Sequence, residues 1–322
     1  MYILVAGGAG FVGSFLCDRL LDDGHKVLCV DNLSSGKKNN ISKNIGKTNF
    51  TFFEHNIIHP FLKVDVLNLN KVEAIFHLAS PASPNIQSKV SYMQHPIETM
   101  LVNSQGSYQL LELARKNKSI YIYASSSEVY GEPKEHPQNE KYFGNVNPVG
   151  PRSCYDEAKR FGESLAFSYF RKHKIDARII RIFNTYGPRM DKDDGRVVSN
   201  FIVWALTNKP LKIYGDGSQT RSFCYISDLV EGLIKVLETK EMKGEVVNLG
   251  NNSEFTIQEL AMLVVEILGI KPNIKYEHLP IDDPSRRKPD LQKAIRLLNY
   301  QPHVNLYDGL EKTIQYFKSV IK

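Results

Sequence analysis

Short runs of consecutive apolar residues alternate along this chain with segments whose apolar residues recur every three or four positions. Continuous apolar runs are typical of parallel strands buried on both faces, and the second pattern is typical of helices buried on one face. We therefore predict strands at Tyr2–Ala6, 26–30, 74–78, 120–124, 177–183 and 245–249, and helices at 95–116 and Ser153–His173. This alternation favours an α/β fold with a doubly wound parallel sheet.

The part of the chain after residue 183 differs in composition from the part before it. Glycine, proline and aspartate become more frequent, and residues 214–218 are predicted to form a turn. Because 245–249 again has the pattern of a buried strand, we expect the chain to return to the sheet. The predicted division is a first domain of residues 1–183 plus about 222–252 and a smaller C-terminal α/β lobe of residues 184–221 plus about 253–322. Residues 32–49 are polar and are predicted to form a long loop.

The composition is that of a folded globular protein. Of 322 residues, 42% are hydrophobic and 24% are charged, which excludes a disordered or fibrous chain. The 41 lysines and arginines outnumber the 35 aspartates and glutamates only slightly. The resulting net charge of +6 is too small to indicate a nucleic-acid partner.

No segment has the length and hydrophobicity of a membrane span, and Met1 leads into an apolar strand without the basic residues of a signal peptide. Cys17, Cys29, Cys154 and Cys224 are widely separated and lack the spacing of metal ligands. We therefore expect a cytoplasmic protein with reduced thiols, no membrane contact and no metal site.

Regularly spaced glycines follow the first predicted strand. Gly7, Gly10 and Gly13 form GxxGxxG before a helix, a spacing that lets backbone amides approach a diphosphate without interference from Cβ atoms. Asp31 ends the second strand, where a carboxylate accepts hydrogen bonds from a ribose diol. The arrangement predicts a Rossmann-type dinucleotide site, with a tight turn beside a capping aspartate as the alternative. Because Asp31 would repel a 2′-phosphate, NAD is favoured over NADP despite the basic residues of the following loop.

A second motif lies on the predicted helix Ser153–His173. Tyr155 and Lys159 have the spacing YxxxK, which puts both side chains on one face of the helix. An ammonium group beside a phenol, with an oxidised nicotinamide close by, would lower the pKa of Tyr155 and make it a general base. Taken alone, the two residues could also be an accidental surface pair.

Hydroxyl groups cluster after the predicted strand 120–124. Ser125, Ser126, Ser127 and Glu128 follow it at the carboxyl edge of the sheet, where α/β proteins bind ligands. These hydroxyls could hold a substrate hydroxyl, or they could belong to a solvated turn or a helix cap.

Together these motifs resemble the extended short-chain dehydrogenase/reductase family of nucleotide-sugar enzymes, and within it the members that decarboxylate UDP-glucuronate. The likeness runs nearly from end to end and is much more specific than YxxxK. Its segments are 7–13 (GGAGFVG), 77–84 (HLASPASP), 127–131 (SEVYG), 145–159 (NVNPVGPRSCYDEAK), 181–190 (RIFNTYGPRM), 194–202 (DGRVVSNFI), 214–223 (YGDGSQTRSF) and 282–290 (DDPSRRKPD).

The resemblance implies roles for the catalytic residues. Tyr155 is the base, Lys159 is its partner, and Ser126 stands where the family usually has a threonine that holds the sugar 4-hydroxyl. Ser127 and Glu128 match the Ser-Glu pair of the decarboxylases, whereas related 4,6-dehydratases carry Asp-Glu. The implied homodimer packs two helices of each subunit, here 95–116 and Ser153–His173, into a four-helix bundle.

The resemblance also implies two binding sites. The cofactor site would consist of Gly7, Gly10, Phe11, Val12, Gly13, Asp31, Asn32, Asn56, Ile57, Leu78, Ala79, Ser80, Asn103, Tyr155 and Lys159. The nucleotide-sugar site would consist of Pro81, Ser126, Asn184, Arg189, Tyr214, Arg221, Arg286 and Arg287. Arg287 matches an arginine near the glucuronate carboxylate, and Arg286 is its close competitor.

The implied reaction is NAD-dependent decarboxylation of UDP-glucuronate to UDP-xylose through a 4-keto intermediate. Two departures keep alternatives open. The segment between Pro84 and Asn103 is longer than the family pattern, with Glu98 and Leu101 where lysines are usual, so Lys89 must substitute for them or the substrate differs. Asn56 replaces an aspartate expected near the adenine. The alternatives are a 4,6-dehydratase, 4-epimerase or C4 dehydrogenase of the same family and a non-catalytic nucleotide-binding protein.

Overall fold

Parallel strands form the central sheet of the computed structural model, which describes residues 1–61, 65–279 and 283–321. In chain order the strands are β1 Tyr2–Ala6, β2 Lys26–Asp31, β3 Phe50–Glu54, β4 Ala74–His77, β5 Ile120–Ser126, β6 Asp176–Ile182, β7 Thr185–Tyr186, β8 Leu211–Tyr214, β9 Thr220–Ser222, β10 Cys224–Tyr225, β11 Val246–Leu249, β12 Glu254–Thr256, β13 Ile274–Glu277 and β14 Arg286–Arg287. The α-helices are α1 Phe11–Asp22, α2 Lys38–Ile41, α3 Pro96–Leu101, α4 Ser107–Asn117, α5 Ser153–His173, α6 Val197–Leu206, α7 Ile226–Glu238, α8 Ile257–Leu268, α9 Gln292–Leu298 and α10 Leu306–Val320.

The central sheet has seven strands in the order β11-β6-β5-β4-β1-β2-β3, and every neighbouring pair is parallel. The chain proceeds from β1 to β2 and β3 on one side and then crosses to β4 on the other. The order therefore reverses beside β1, and a ligand crevice is expected outside the carboxyl ends of the strands at this point. The predicted doubly wound α/β fold is confirmed.

Alternating residues of the strands face two hydrophobic layers. Ile3 and Val5 of β1 belong to a core shared with α1, α7 and α9, while Leu4 and Ala6 face a second core shared with α4 and α5. Because successive strand residues point to opposite faces, one continuous apolar strand fills both layers.

A third hydrophobic core lies in the C-terminal lobe, between α6, α8 and α10, and includes Phe201, Leu260 and Phe317. Short strands accompany it, with β8 paired to β13 and β9 paired to β12 and β14. One part of the predicted division differs: Ala294 and Leu298 of α9 are buried in the core of the sheet rather than in that of the lobe. Their apolar side chains face α7 and β11, so α9 packs with the first domain.

The edge strand β3 was not predicted, and local structure also departs from the prediction in two other places. Loop 32–49 contains α2 and a 3₁₀ turn, Ser42–Asn44, because Ile41 enters the core and the Nδ2 of Asn44 donates to Oδ1 of Asp18 at 2.5 Å. The predicted helix 95–116 is interrupted by a π-turn at Val102–Gly106. Such turns often mark functional sites. In the described ranges, none of the helices has both the length and the apolar character needed to cross a membrane.

Candidate active site

The glycine turn after β1 brings the start of α1 very close to the neighbouring loops. A Cβ atom on Gly13 would lie 2.1 Å from the carbonyl oxygen of Gly7, and one on Gly7 would lie 2.8 Å from the amide nitrogen of Ala79. Gly7 also has a φ of +81°, which favours glycine. The turn therefore leaves the N-terminal amides of α1 open to a close-fitting anion.

Asp31 ends β2 next to this turn. Its Oδ2 accepts from the backbone N–H of Ala9 at 2.9 Å and its Oδ1 accepts from that of Leu33 at 2.8 Å. Burial raises the pKa of Asp31, while these backbone donors act in the opposite direction. The carboxylate is thus held in a fixed orientation and keeps further lone pairs for a ribose diol.

A cavity of about 260 Å³ lies between the glycine turn and the loop that follows β4. The predicted cofactor residues that line it are Gly7, Gly10, Phe11, Val12, Gly13, Asp31, Asn32, Asn56, Ile57, Leu78, Ala79 and Ser80. Pro81 and Arg189, which the resemblance placed in the nucleotide-sugar site, line this cavity instead. Arg189 is drawn there because its guanidinium pairs with Asp18 at 2.7 Å and stacks on Phe15.

Asn103 lies behind this cavity, in the π-turn. Its Nδ2 donates to the hydroxyl of Ser80 at 2.9 Å, and its Oδ1 accepts from the hydroxyl of Tyr123 at 2.9 Å. Asn103 therefore orients Ser80, which lines the cavity. A glycine cradle for a diphosphate and a fixed carboxylate for a ribose are the two features that NAD requires, so the residues present fit this cofactor.

The two lysines near Asp31 are both paired with carboxylates. Nζ of Lys37 lies 2.6 Å from Asp191 and Nζ of Lys38 lies 3.0 Å from Glu54. Because both ammonium groups are already paired, neither is a free positive charge for the 2′-phosphate of NADP. Selectivity for NAD over NADP is therefore expected to depend on Asp31.

Asp31→Asn is expected to weaken NAD binding about tenfold and to narrow the preference for NAD over NADP, because the amide loses the charge that repels a 2′-phosphate. Isothermal titration calorimetry with both dinucleotides measures the change. Asp23→Asn, at the exposed end of α1, is the matched control. An unchanged ratio of the two dissociation constants would contradict this role for Asp31.

Tyr155 and Lys159 lie on α5 as the sequence predicts, and both side chains are buried. Nζ of Lys159 donates to the carbonyl of Ala124 at 2.9 Å and lies 5.6 Å from the centre of the Tyr155 ring. Burial lowers the pKa of Lys159 to about 7. Burial also raises the pKa of Tyr155 to about 12, although a hydrogen bond with Ser126 opposes this shift. The expected lowering of the tyrosine pKa is therefore absent from the protein alone, since desolvation of the phenolate dominates.

The serine cluster sits at the carboxyl end of β5. Ser126 accepts from the backbone N–H of Glu128 at 3.2 Å and so caps the 3₁₀ turn Ser127–Tyr130. Ser125 donates to Glu163 at 2.6 Å. Ser126 thus combines the capping role with contact to Tyr155, and the cap fixes the hydroxyl beside the phenol.

Glu128 is surrounded by arginines. Its Oε2 lies 2.5 Å from Arg152 and 3.4 Å from Arg287, and Asp283 joins Arg152 to Arg221 at 3.2 and 3.1 Å. Burial disfavours a charged Glu128, but the arginine charges outweigh this effect and lower its pKa to about 2. Three guanidinium groups therefore face two carboxylates, which leaves the network positive and suited to an anion.

A second cavity, of about 460 Å³, adjoins this network. Glu128, Asn184, Tyr214 and Arg221 line it as predicted, together with residues that sequence reasoning did not assign, among them Arg152, Arg196, Phe201, Trp204 and Lys212. We call it the substrate cavity.

The two candidate arginines of the C-terminal lobe are separated by the structure. Arg287 is buried behind Glu128, where its Nη1 donates to the carbonyl of Gly131 at 2.9 Å. Arg286 is exposed and lines a different, open cavity with Gly215 and Thr220. Adjacent residues of β14 point to opposite faces, which explains this separation. Asp282, the first residue of the motif, lies outside the described residues.

Sequence reasoning missed two groups around Tyr155, the candidate catalytic tyrosine. The ring of Tyr92 stacks on that of Tyr155 at 4.7 Å with an interplanar angle of 9°. The second group is Arg152, which precedes Tyr155 by one helical turn. Its position within the motif 145–159 was the signal that could have identified it. Lys89, considered as a substitute for the missing lysines, is exposed and lines neither cavity. Glu98 lines the cofactor cavity.

Comparisons with known proteins agree with this geometry. The model of the NAD dependent epimerase/dehydratase family matches residues 3–250. UDP-glucuronic acid decarboxylase 1 of Danio rerio is 47% identical over 316 residues, which cover 98% of this chain and 72% of that protein. UDP-glucuronic acid decarboxylase 6 of Arabidopsis thaliana is 47% identical over 312 residues, which cover 96% and 87%.

Solved structures show the same architecture. UDP-glucose 4-epimerase of Thermotoga maritima, crystallised with UDP-glucose, has a TM-score of 0.90 and 32% identity, with both chains fully covered. UDP-glucuronic acid 4-epimerase of Bacillus cereus, in complex with UDP-glucuronic acid and NAD, has a TM-score of 0.87 and 32% identity over 99% of this chain and 100% of that chain.

Proposed function

Because the chain belongs to the NAD dependent epimerase/dehydratase family, we propose that it is an NAD-dependent decarboxylase that converts UDP-glucuronate to UDP-xylose. The resemblance inferred from the motifs is confirmed by the family match and by decarboxylases that are 45–48% identical over most of the chain. The observation that best supports this proposal is the positively charged network of Arg152, Arg287 and Glu128, which lies beside the substrate cavity and next to Tyr155.

Tyr155 and Ser126 begin the reaction at C4 of the sugar. Ser126 holds the 4-hydroxyl, and Tyr155 removes its proton as the C–H bond at C4 is broken. The chemistry supplied by bound NAD is reversible acceptance of the C4 hydride, so the cofactor is regenerated in each turnover. The protonated Tyr155 and Ser126 then both donate to the ketone oxygen.

The 4-ketone makes the carboxylate a β-keto acid. The bond between C5 and the carboxyl carbon breaks as carbon dioxide leaves. Its electron pair forms an enolate over C5, C4 and the ketone oxygen. Tyr155 and Ser126 stabilise the enolate oxygen. Arg152, which lines the cavity, orients the carboxylate, while Arg287 holds Glu128 from behind.

Reprotonation of C5 requires a proton source near Glu128. Since the arginine charges keep the pKa of Glu128 at about 2, its carboxylate is ionised at neutral pH and is a poor acid. Direct donation by Glu128 is therefore disfavoured, and we propose that a water oriented by Glu128 supplies the proton.

The test is incubation of the purified protein with NAD and UDP-glucuronate, followed by mass spectrometry of the nucleotide sugars and absorbance of NADH. A product lighter by one carbon dioxide without net NADH is the expected result. A product lighter by one carbon dioxide and two further hydrogens, with accumulating NADH, would indicate release of a 4-keto pentose. A product of unchanged mass would identify an epimerase instead, and loss of water a dehydratase.

We further propose a homodimer formed by α3, α4 and α5. Exposed apolar side chains follow one face of these helices, including Ile97, Met100, Tyr108 and Phe161, which are 63, 45, 48 and 50% exposed. The helices are tied together by the hydroxyl of Tyr169, which donates to Glu112 at 2.8 Å. A shared apolar face of this kind suits a four-helix bundle with a second copy.

Phe161→Glu is expected to halve the molar mass measured by size-exclusion chromatography with light scattering, because a charge cannot be buried in the helix interface. Phe143→Glu, on an exposed loop outside these helices, is the control and should keep the wild-type mass. A wild-type protein that elutes as a monomer would refute the dimer.

We also propose the two-domain division given above, with α9 reassigned to the first domain, and a cytoplasmic location. The second proposal is supported by Cys17, Cys29, Cys154 and Cys224, which are free thiols in the structure.

A further inference from the structure

Residues 83–92 border both the substrate cavity and the cofactor cavity, and we call this segment the strap. Pro84, Asn85, Ile86 and Gln87 of the strap line the cavity. The side chain of Ile86 is 58% exposed and lines the cavity, so its apolar surface is open to a bound ligand.

Two buried serines anchor the strap on the loop before α6. The hydroxyl of Ser83 donates to the carbonyl of Asp194, and that of Ser88 donates to the carbonyl of Asp193. Between these anchors, Oδ1 of Asn85 accepts from the backbone N–H of Gln87 at 2.9 Å and fixes a turn. These hydrogen bonds therefore hold the turn in a defined orientation.

The first end of the turn reaches the catalytic tyrosine through the loop before α6. The side chain of Asn85 packs on Gly195, where an added Cβ would lie 2.4 Å from the Cβ of Asn85. The next residue, Arg196, is fixed by Asp194 at 2.6 Å, and its positive charge acts to lower the pKa of Tyr155. The loop that holds the strap thus leads to the reacting end of the cavity.

The C-terminal end of the strap contacts the same tyrosine directly. Ser91 and Ser83 form a β-bridge that closes the strap, and the next residue, Tyr92, stacks on Tyr155. The thiol of Cys154 also lies 3.7 Å from the carbonyl of Tyr92. Because Tyr92 of the strap stacks on Tyr155 and Arg196 of the adjoining loop acts on the same phenol, we expect the turn to face the sugar rather than the base of a bound nucleotide sugar.

We infer that the turn Asn85–Ser88 is a specificity element that places Ile86 and Gln87 against the sugar of the substrate. This inference rests on the proposed function and extends it, because it assigns sugar selection to a segment that carries none of the reacting groups. Ile86 offers an apolar contact to one face of the ring, and the Gln87 amide offers a neutral donor and acceptor for hydroxyl groups.

The test compares Ile86→Ala/Gln87→Ala with wild type in calorimetric titrations of UDP, UDP-glucuronate and UDP-glucose into the NAD-loaded protein. Lys89→Ala is the matched control, because Lys89 lies on the same strap but lines neither cavity. The double variant is expected to bind UDP as wild type does and to bind the preferred UDP-sugar about tenfold more weakly. In turnover, KM should rise more than kcat falls.

Equal weakening of UDP and UDP-sugar would overturn the inference, since the turn would then serve the nucleotide. No difference from Lys89→Ala would overturn it as well. NAD affinity and the melting temperature of each variant show that the fold is kept, and Gln87→Ala alone provides a milder second variant. If wild type prefers a sugar other than glucuronate, the proposed function fails, but loss of that preference in the double variant still decides the role of the turn.

Discussion

Tyr155→Phe is expected to reduce turnover of UDP-glucuronate by about a thousandfold or more. The variant keeps the ring that stacks on Tyr92 but lacks the phenolic oxygen proposed to take the proton of the sugar 4-hydroxyl. The nearby Lys159 donates to the carbonyl of Ala124 and Glu128 is paired with Arg152, so neither is expected to replace the phenol as the base. Affinity for UDP should change by less than about twofold, because nucleotide contacts do not involve this hydroxyl.

Single-turnover formation of NADH and the mass of the product measure this loss, and calorimetry measures UDP binding. Tyr121→Phe is the control, since Tyr121 is a buried tyrosine of β5 whose side chain packs in the core shared with α4 and α5. Turnover within about tenfold of wild type would remove Tyr155 from its role as base. Loss of UDP binding in parallel would instead indicate damage to the site as a whole.

The sequence predicts those parts of the site whose geometry is encoded over short distances. Gly7, Gly13 and Asp31 belong to one βαβ unit, so their spacing alone places them around one crevice. Tyr155 and Lys159 share a helix face for the same reason. Six of the seven strands of the central sheet were predicted within about two residues because buried parallel strands are continuously apolar, whereas the edge strand β3 was not predicted.

Features that depend on tertiary packing could not be predicted in this way. Arg189 belongs to a nucleotide-sugar motif, but its ion pair with Asp18 of α1 draws it to the cofactor cavity. Tyr92 reaches Tyr155 only because serine hydroxyls of the strap bind the loop before α6. No periodicity or local spacing records such contacts between distant segments.

The ionisation of the catalytic pair also depends on burial, which the YxxxK motif does not contain. The motif suggested an ammonium that lowers the pKa of Tyr155. In the folded protein, burial lowers the pKa of Lys159 to about 7 and raises that of Tyr155 to about 12. The protein alone thus disfavours both charged forms, and the active ionisation state requires a further positive charge such as an oxidised nicotinamide.

Lys159→Met is therefore expected to abolish activity and at the same time to stabilise the protein against unfolding. The unfolded chain keeps a lysine with a pKa near 10.5, whereas burial lowers the pKa in the folded state to about 7. The unfolded state binds more protons between these values, so wild-type stability falls as the pH decreases from about 10.5 to 7. Below this range the full cost of a buried ammonium is present, and the methionine variant should be more stable by about 2 kcal/mol.

Urea unfolding at several pH values measures this difference. The advantage of Lys159→Met should be largest below pH 7 and should vanish above about pH 10.5, where both states of wild type carry neutral lysine. Lys172→Met, at an exposed position of α5, should show no such pH dependence. Equal stability of wild type and Lys159→Met at low pH would mean that interactions in the folded protein offset the cost of burying the Lys159 ammonium group. Greater stability with lost turnover would instead show that Lys159 is kept for catalysis, at the expense of the stability of the fold.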